Sequence, residues 1–391
     1  MTTPRTTTVD RRPELDAIRT LVVVGLVFFH SALVFDENDD YYVKNADTTS
    51  ITTVLAGLAV LWAMPALFLI AGFGSWHSMA RRGPAGFARE RLQRLGVPLL
   101  FAILTILPAP VWLRLKAADP GYHESYLSFL PQFYTVHLDL ADFPFVLGGD
   151  YFETGHLWFV VLLLTFSLLL AAARNWVPGG AKESLAGAVD RRGVVLLPAL
   201  LMSAICAFVG MEEAFAGWSR WAYLLYFAGG FLLASDERFR LAMRRDAVPA
   251  AIIAVVVFVA SGPVLLTAGD DPFTELTGQA IAGRALFGLA GWCAVVAILG
   301  LLDRRNVERT PKEPSRAYLY LAVAALPIYV LHQPIVVAVA YGVVRWDAPI
   351  VVKYLALASA AFALTLVAYE LLVRRTRLTR ALFGMRLRST E

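Results

Sequence analysis

The feature that most constrains this chain is a series of apolar runs, each close to the ~20 residues a helix needs to cross a bilayer. Ten are present, at 15–35, 52–76, 95–113, 156–173, 193–210, 220–234, 248–267, 281–302, 317–343 and 349–373. The sixth is short and the fifth is interrupted by Pro198. Backbone polar groups within such runs must be satisfied locally, which selects helices. Composition agrees: 58% of the 391 residues are hydrophobic and only 17% charged, where a soluble domain is nearer one quarter charged. The expected fold is an all-α, polytopic membrane protein of about ten transmembrane helices, with no soluble domain between them.

The connections carry an independent signal. Basic residues gather on alternate loops: Arg81 to Arg94, then Arg174 to Arg192, Arg238 to Arg245, Arg304 to Arg316, and Arg374 to Arg388. The intervening loops are acidic or nearly neutral, as in Asp36-Glu-Asn-Asp-Asp40, Glu212-Glu213 and Asp270-Asp271. By the positive-inside rule this places both termini in the cytoplasm and keeps ten helices in register. The first run is too long for a signal-peptide core and reads as a retained helix. Residues 1–375 form the membrane domain. Residues 376–391 read as a basic cytoplasmic tail, an amphipathic helix on the anionic inner leaflet. The one long insertion, 114–155, lies on the outer side and is rich in aromatics and acids. Its aromatic faces and carboxylates suit a sugar-like acceptor, although short interfacial helices in an aromatic belt are the plainer reading.

Several function classes drop out. No basic, aromatic-interleaved soluble domain exists to bind nucleic acid. Cys206 and Cys293 lie far apart in apolar runs, with no redox or metal spacing. His123 and His137 sit near acids but match no metal site, so no metal and no bound cofactor is expected. His77 is expected on an inner loop.

The first run carries Arg19 and His30 inside its apolar length. Eleven residues return a helix to nearly the same face, so both point one way, roughly 16 Å apart along the axis. Ionisable groups at such depth usually mark a pathway or a reaction site; the bland reading is a snorkelling arginine and a packing histidine. Counting from helix ends puts Arg19, Glu370, Arg91 and Arg94 in one inner layer, and His30 and His332 together further out, at roughly 22 Å. Arg91 and Arg94 share a helix face and suit phosphates, against the plain reading of a positive-inside flank. A lone arginine at depth needs a partner, with Glu370 and Asp16 as rivals. His332 precedes Pro334, whose ring frees a backbone carbonyl that the imidazole could take. His156, opening the fourth run, reads as a capping or interfacial residue.

Together these residues resemble a known family, the acyltransferase 3 family of bacterial membrane O-acyltransferases. Leu15-Asp-Ala-Ile-Arg19 with His30 resembles its first-helix signature. Leu67-Phe-Leu-Ile-Ala-Gly-Phe73 is similar to its FxxSGF element, with Ala71 where serine is usual. Arg91-Leu-Gln-Arg94 with Pro98, Gly155-His-Leu-Trp-Phe159, Leu326-Pro-Ile-Tyr-Val-Leu-His-Gln-Pro334 and Tyr369-Glu370 resemble its later elements, in order. One departure is Val160-Val161-Leu162 after His156-Leu-Trp-Phe159, where relatives similar to O-antigen acetylases carry further acids. This resembles the branch of succinyl-transferring glucan modifiers.

The resemblance implies a bacterial plasma-membrane enzyme moving an acyl group from cytoplasmic acyl-CoA to a hydroxyl of a carbohydrate or other acceptor. It implies His30 as general base, Arg19 holding the donor or polarising its thioester, and Arg91 and Arg94 on the nucleotide phosphates. Glu370, Asp16, His332 and His156 are the supporting residues. A competing class is a proton-coupled exporter, against which the chain shows no paired Gly/Pro-broken segments in matching halves.

Overall fold

A computed structural model describes residues 12–173, 179–269, 271–308 and 315–385. Expectations for Arg174, Asp270, Arg309, Lys312, Arg386 and Arg388 lie outside the described residues, as does the side chain of Lys182. The described chain is helical almost throughout: α1 (Pro13–Leu33), α2 (Ser50–Arg91), α3 (Val97–Thr105), α4 (Pro108–Ala118), α5 (Tyr126–Phe133), α6 (Trp158–Ala173), α7 (Gly179–Ala188), α8 (Pro198–Phe208), α9 (Arg220–Leu233), α10 (Glu237–Leu266), α11 (Gly278–Glu308), α12 (Arg316–Val343), α13 (Ile350–Ala368) and α14 (Arg377–Leu382). A two-residue antiparallel pair joins β1 (His137–Leu138) to β2 (Leu147–Gly148).

Local chemistry sets the helix boundaries. Helix α1 begins with Pro13, whose missing N–H costs nothing in a first turn, and carries Glu14 and Asp16 at the positive end of its dipole. Thr49, Asp236 and Ser315 cap α2, α10 and α12 by accepting from Ile51, Arg238 and Tyr318 backbone N–H groups. Helix α2 breaks at Gly83, which takes a left-handed φ of 68° ahead of Pro84. A π-helical turn, Leu92–Gly96, then joins it to α3.

Among the described residues, seven helical segments are long and apolar enough to cross a membrane, which makes this a multi-pass membrane protein. The expected runs 52–76 and 95–113 fall in one of these, Ser50–Ala118, in which α2, the π-helical turn, α3 and α4 follow one another with no long loop between them. His77 is therefore helical, packed edge-on to Phe73, and not on a loop. Pro198 does not interrupt a span. It opens α8, where a proline is tolerated, after a short 3-10 turn at Val194–Leu196. Helix α9 has 14 residues, roughly 21 Å at 1.5 Å per residue, short of a full crossing.

Helices α11 and α12 form the centre, with 67% and 61% of their apolar windows buried, against 17% for the peripheral α10 and 28% for α13. Helices α2 and α9 cross at reciprocal glycines. A Cβ on Gly72 would lie 1.9 Å from the Phe227 carbonyl oxygen, and one on Gly230 would lie 1.8 Å from that of Leu69. In lipid, where apolar burial gives helices little reason to associate, such close backbone packing is a main source of cohesion. The fully buried Arg284 of α11 donates to the carbonyls of Ala207 and Pro272 at 3.0 and 2.9 Å, tying α11 to the end of α8. In the 119–154 segment, Phe129 and Phe133 of α5 are fully buried; these two aromatics are core, not acceptor faces.

Candidate active site

Three histidines from three helices meet in one place. The His332 ring lies 5.1 Å from that of His30 and 5.0 Å from that of His156, centroid to centroid. His30 sits one turn before the end of α1, His332 is in α12, and His156 is in the 3-10 turn that opens α6. His332 and His156 are buried, whereas His30 is partly exposed.

Pro334 explains the arrangement. Its missing N–H leaves the Val330 carbonyl without its helical donor. His156 Nε2 donates to that oxygen at 3.2 Å. The carbonyl freed by the proline is therefore taken by His156, not by His332. His332 Nδ1 instead donates to the Tyr329 carbonyl at 2.7 Å. A carbonyl can only accept, so both tautomers are fixed: in the neutral rings, His332 Nε2 and His156 Nδ1 carry lone pairs. Both atoms are buried without a hydrogen-bond partner, and so is His30 Nδ1. The cluster thus presents two bare acceptor nitrogens, on His332 and His156, beside an unpartnered His30 Nδ1.

Other groups hold this cluster. The Gln333 amide oxygen accepts from the His156 backbone N–H at 3.0 Å, and the Tyr329 hydroxyl donates to the His156 carbonyl. The loop after α1 returns Tyr41 to a ring distance of 5.8 Å from His30, with its hydroxyl facing the Gln333 side chain. Tyr42 donates to Glu153, which also pairs with Arg114; the Arg114 guanidinium stacks 4.6 Å above the Tyr42 ring. Burial raises the pKa of both tyrosines well above the ordinary value, with the Glu153 carboxylate adding to the shift at Tyr42, so both remain protonated donors. Gly155 (φ 47°) lies beneath this group: a Cβ there would stand 3.0 Å from the Tyr42 hydroxyl, 3.6 Å from Gln333 Oε1 and 3.7 Å from Glu153 Oε1.

Tyr41, Tyr42, Arg114 and Glu153 were not among the residues singled out from sequence. Arg114 and Glu153 did carry a signal, as one of two strong bases in an acid-rich outer segment and an acid three residues before His156. No sequence signal marked the two tyrosines. Among the described residues, no group of three or more His, Cys, Asp or Glu side chains is placed to hold a metal ion.

The inner layer is organised differently. Arg19 pairs with Asp16, three residues earlier, at 2.9 Å. Glu370 pairs with Arg374 at 2.9 Å, not with Arg19. The expected Arg19–Glu370 contact is thus replaced by two local pairs, because each carboxylate has a cation one helical turn away. Arg91 and Arg94 both turn to Glu90, with N···O distances of 3.7 and 3.0 Å. Arg91 also donates to Ser75 Oγ at 3.1 Å and lies over the Phe87 ring. Arg94 reaches the Gly384 carbonyl at 3.5 Å. The tail returns to the bundle there: Phe383 is buried against Phe101, and α14 packs beside α3.

These features define a helical membrane protein built around a buried histidine cluster. Residues 12–370 match the family model of the acyltransferase domain, Acyl_transf_3. The chain belongs to that family and is an acyltransferase, transferring groups other than aminoacyl groups. It is also similar to glucans biosynthesis protein C of Escherichia coli K12, at 25% identity over 157 residues, or 40% of this chain and 37% of the relative. The same protein from E. coli O157:H7 and O9:H4 gives the same identity and coverage. The matched stretch thus spans little more than a third of those relatives' length. No solved structure matches the chain.

Proposed function

We propose that this enzyme moves an acetyl or similar acyl group from cytoplasmic acyl-CoA to a hydroxyl of a carbohydrate or related envelope acceptor, in the bacterial plasma membrane. The observation that carries the reading is the histidine cluster, whose bare nitrogens call for a hydroxyl donor. The acceptor hydroxyl donates to His30, the general base. Its oxygen attacks the thioester carbonyl, the carbon–sulfur bond breaks, and the leaving thiolate takes the proton back from the imidazolium. His332, with its Nε2 lone pair fixed by the Tyr329 bond, lies beside His30 and stabilises that imidazolium. His156 completes the pocket wall.

The loop charges favour ten membrane segments with both termini cytoplasmic, counting the 50–118 segment twice and including the shorter α8 and α9. This puts Arg19 on the donor side. Roughly 16 Å from His30 along the helix, it holds the donor and does not touch the reacting carbonyl. Asp16 orients Arg19, while Arg91 and Arg94, gathered by Glu90, receive the nucleotide phosphates. Glucan-related names among the relatives support a carbohydrate acceptor.

The test is thiol release by the purified protein in nanodiscs given acetyl-CoA and envelope glycans. Wild-type protein should release thiol and label the glycan, and His30→Ala protein of unchanged melting temperature should not. A folded His30→Ala protein working at the wild-type rate would overturn the assignment.

A further inference from the structure

At the end of the bundle where α1 and α12 finish, a groove of about 540 Å³ opens, lined in part by Val43 and Lys44, which follow Tyr42 in the chain. Its lining includes Lys44, Lys116, His123 and Arg345, together with the rings of Tyr122 and Tyr341. No acid lines it. Among the described residues, none of its cations has a carboxylate within 4.0 Å. Lys44 donates to the backbone carbonyls of Leu33 and Asp36, and Asp39 reaches it only through space. Lys116 lies over Trp112 and Arg345 over Tyr341, at 4.7 and 3.9 Å from the ring centroids. A further cation sits under the floor: buried Lys353 donates to Asn45 at 2.9 Å and to the carbonyl of Val344, itself a groove residue, at 3.3 Å. Positive-inside sorting gives no reason for cations at the outer end of a bundle, and a cleft lined by one sign of charge concentrates the opposite sign.

We propose that this groove binds the phosphate of a phosphorylated, hydroxyl-bearing acceptor, and so delivers a neighbouring hydroxyl toward the histidines. The assignment of the occupant as acceptor rests on the proposed acyl transfer. The groove is too large for phosphate alone. The Tyr122 ring offers a face for a sugar, while Arg345, stacked on Tyr341, supplies a planar fork and Lys44 and Lys116 supply point charges. The phosphate could belong to a sugar phosphate or to a lipid headgroup.

The test uses full-length protein in phosphatidylcholine nanodiscs, titrated by calorimetry with glucose 1-phosphate and, separately, with glucose. Glucose 1-phosphate should bind at least about tenfold more tightly than glucose, with affinity falling as salt rises. The Lys116→Gln/Arg345→Gln protein should lose about tenfold, and Lys116→Arg, which keeps the charge, should keep wild-type binding. If phosphatidylglycerol in the disc competes with glucose 1-phosphate in the wild type but not in the Gln variant, the phosphate is a lipid headgroup's. Equal binding of the two sugars, or unchanged binding in the folded Gln variant, overturns the proposal. Thiol release from acetyl-CoA by the wild-type protein is measured in parallel; its absence would sink the acyl-transfer reading while leaving phosphate binding intact.

Discussion

The two ends of the bundle treat charge differently. At the end where α1 starts, Arg19, Arg91 and Arg94 each lie near a carboxylate from their own helix or the turn joined to it. At the other end, Arg114 pairs with Glu153, but the histidine rings hold only backbone groups and one another, and the groove cations have no paired acid. Local ion pairs satisfy arginines at low cost and give up some of their reach for ligands. Imidazoles with one nitrogen tied to a carbonyl keep the other free for chemistry. The contrast teaches where to look for bond making: at the end with unsatisfied acceptors.

The comparison can be broken in four ways. The severest is to strike the crossing between the two layers. Gly230→Val would drive its side chain into the Leu69 carbonyl, so the protein should fail to reach a monodisperse state by size exclusion, and both ends should be lost together. Next, His30→Ala should cut acyl transfer by about 10²–10⁴-fold while donor binding, read by calorimetry with acetyl-CoA, stays within a few-fold.

A subtler cut is Pro334→Ala. It returns an N–H to the Val330 carbonyl and competes with His156 for it, so activity should fall about tenfold without loss of thermal stability. Activity unchanged by this substitution would show that the His156 tether does not matter to turnover. The smallest effects separate the rivals for Arg19. Asp16→Asn should raise the apparent KM for the donor several-fold, whereas Glu370→Gln, which breaks an exposed local pair with Arg374, should change it less than about twofold. The reverse order would restore the Arg19–Glu370 contact.

Much of the fold was legible in the chain. Apolar run length marks the helices because lipid enforces it one segment at a time. The nearness of His30 and His332 was legible too, since a helix converts residue number into depth, but His156, read as a capping or interfacial residue, proved to be buried beside them. Lateral contacts were harder. Arg19 and Glu370 lie at one counted depth yet take different partners, because a carboxylate one turn away needs no tertiary coincidence. Pro334 announced a free carbonyl but could not announce its taker, His156, which lies 174 residues before Val330 in the chain. Tyr41, Tyr42, Arg114 and Glu153 come from separate loops and helices whose folding back leaves no periodic trace.

The sequence by itself determined that this is a multi-pass helical membrane protein with two layers of polar residues, for length, hydropathy and depth are one-dimensional quantities. Only the tertiary structure decided which polar groups face one another. It brought His30, His332 and His156 together, fixed two of their tautomers through carbonyls, and left the arginines to nearby acids, because sideways packing is set by close approaches such as Gly72 against Phe227.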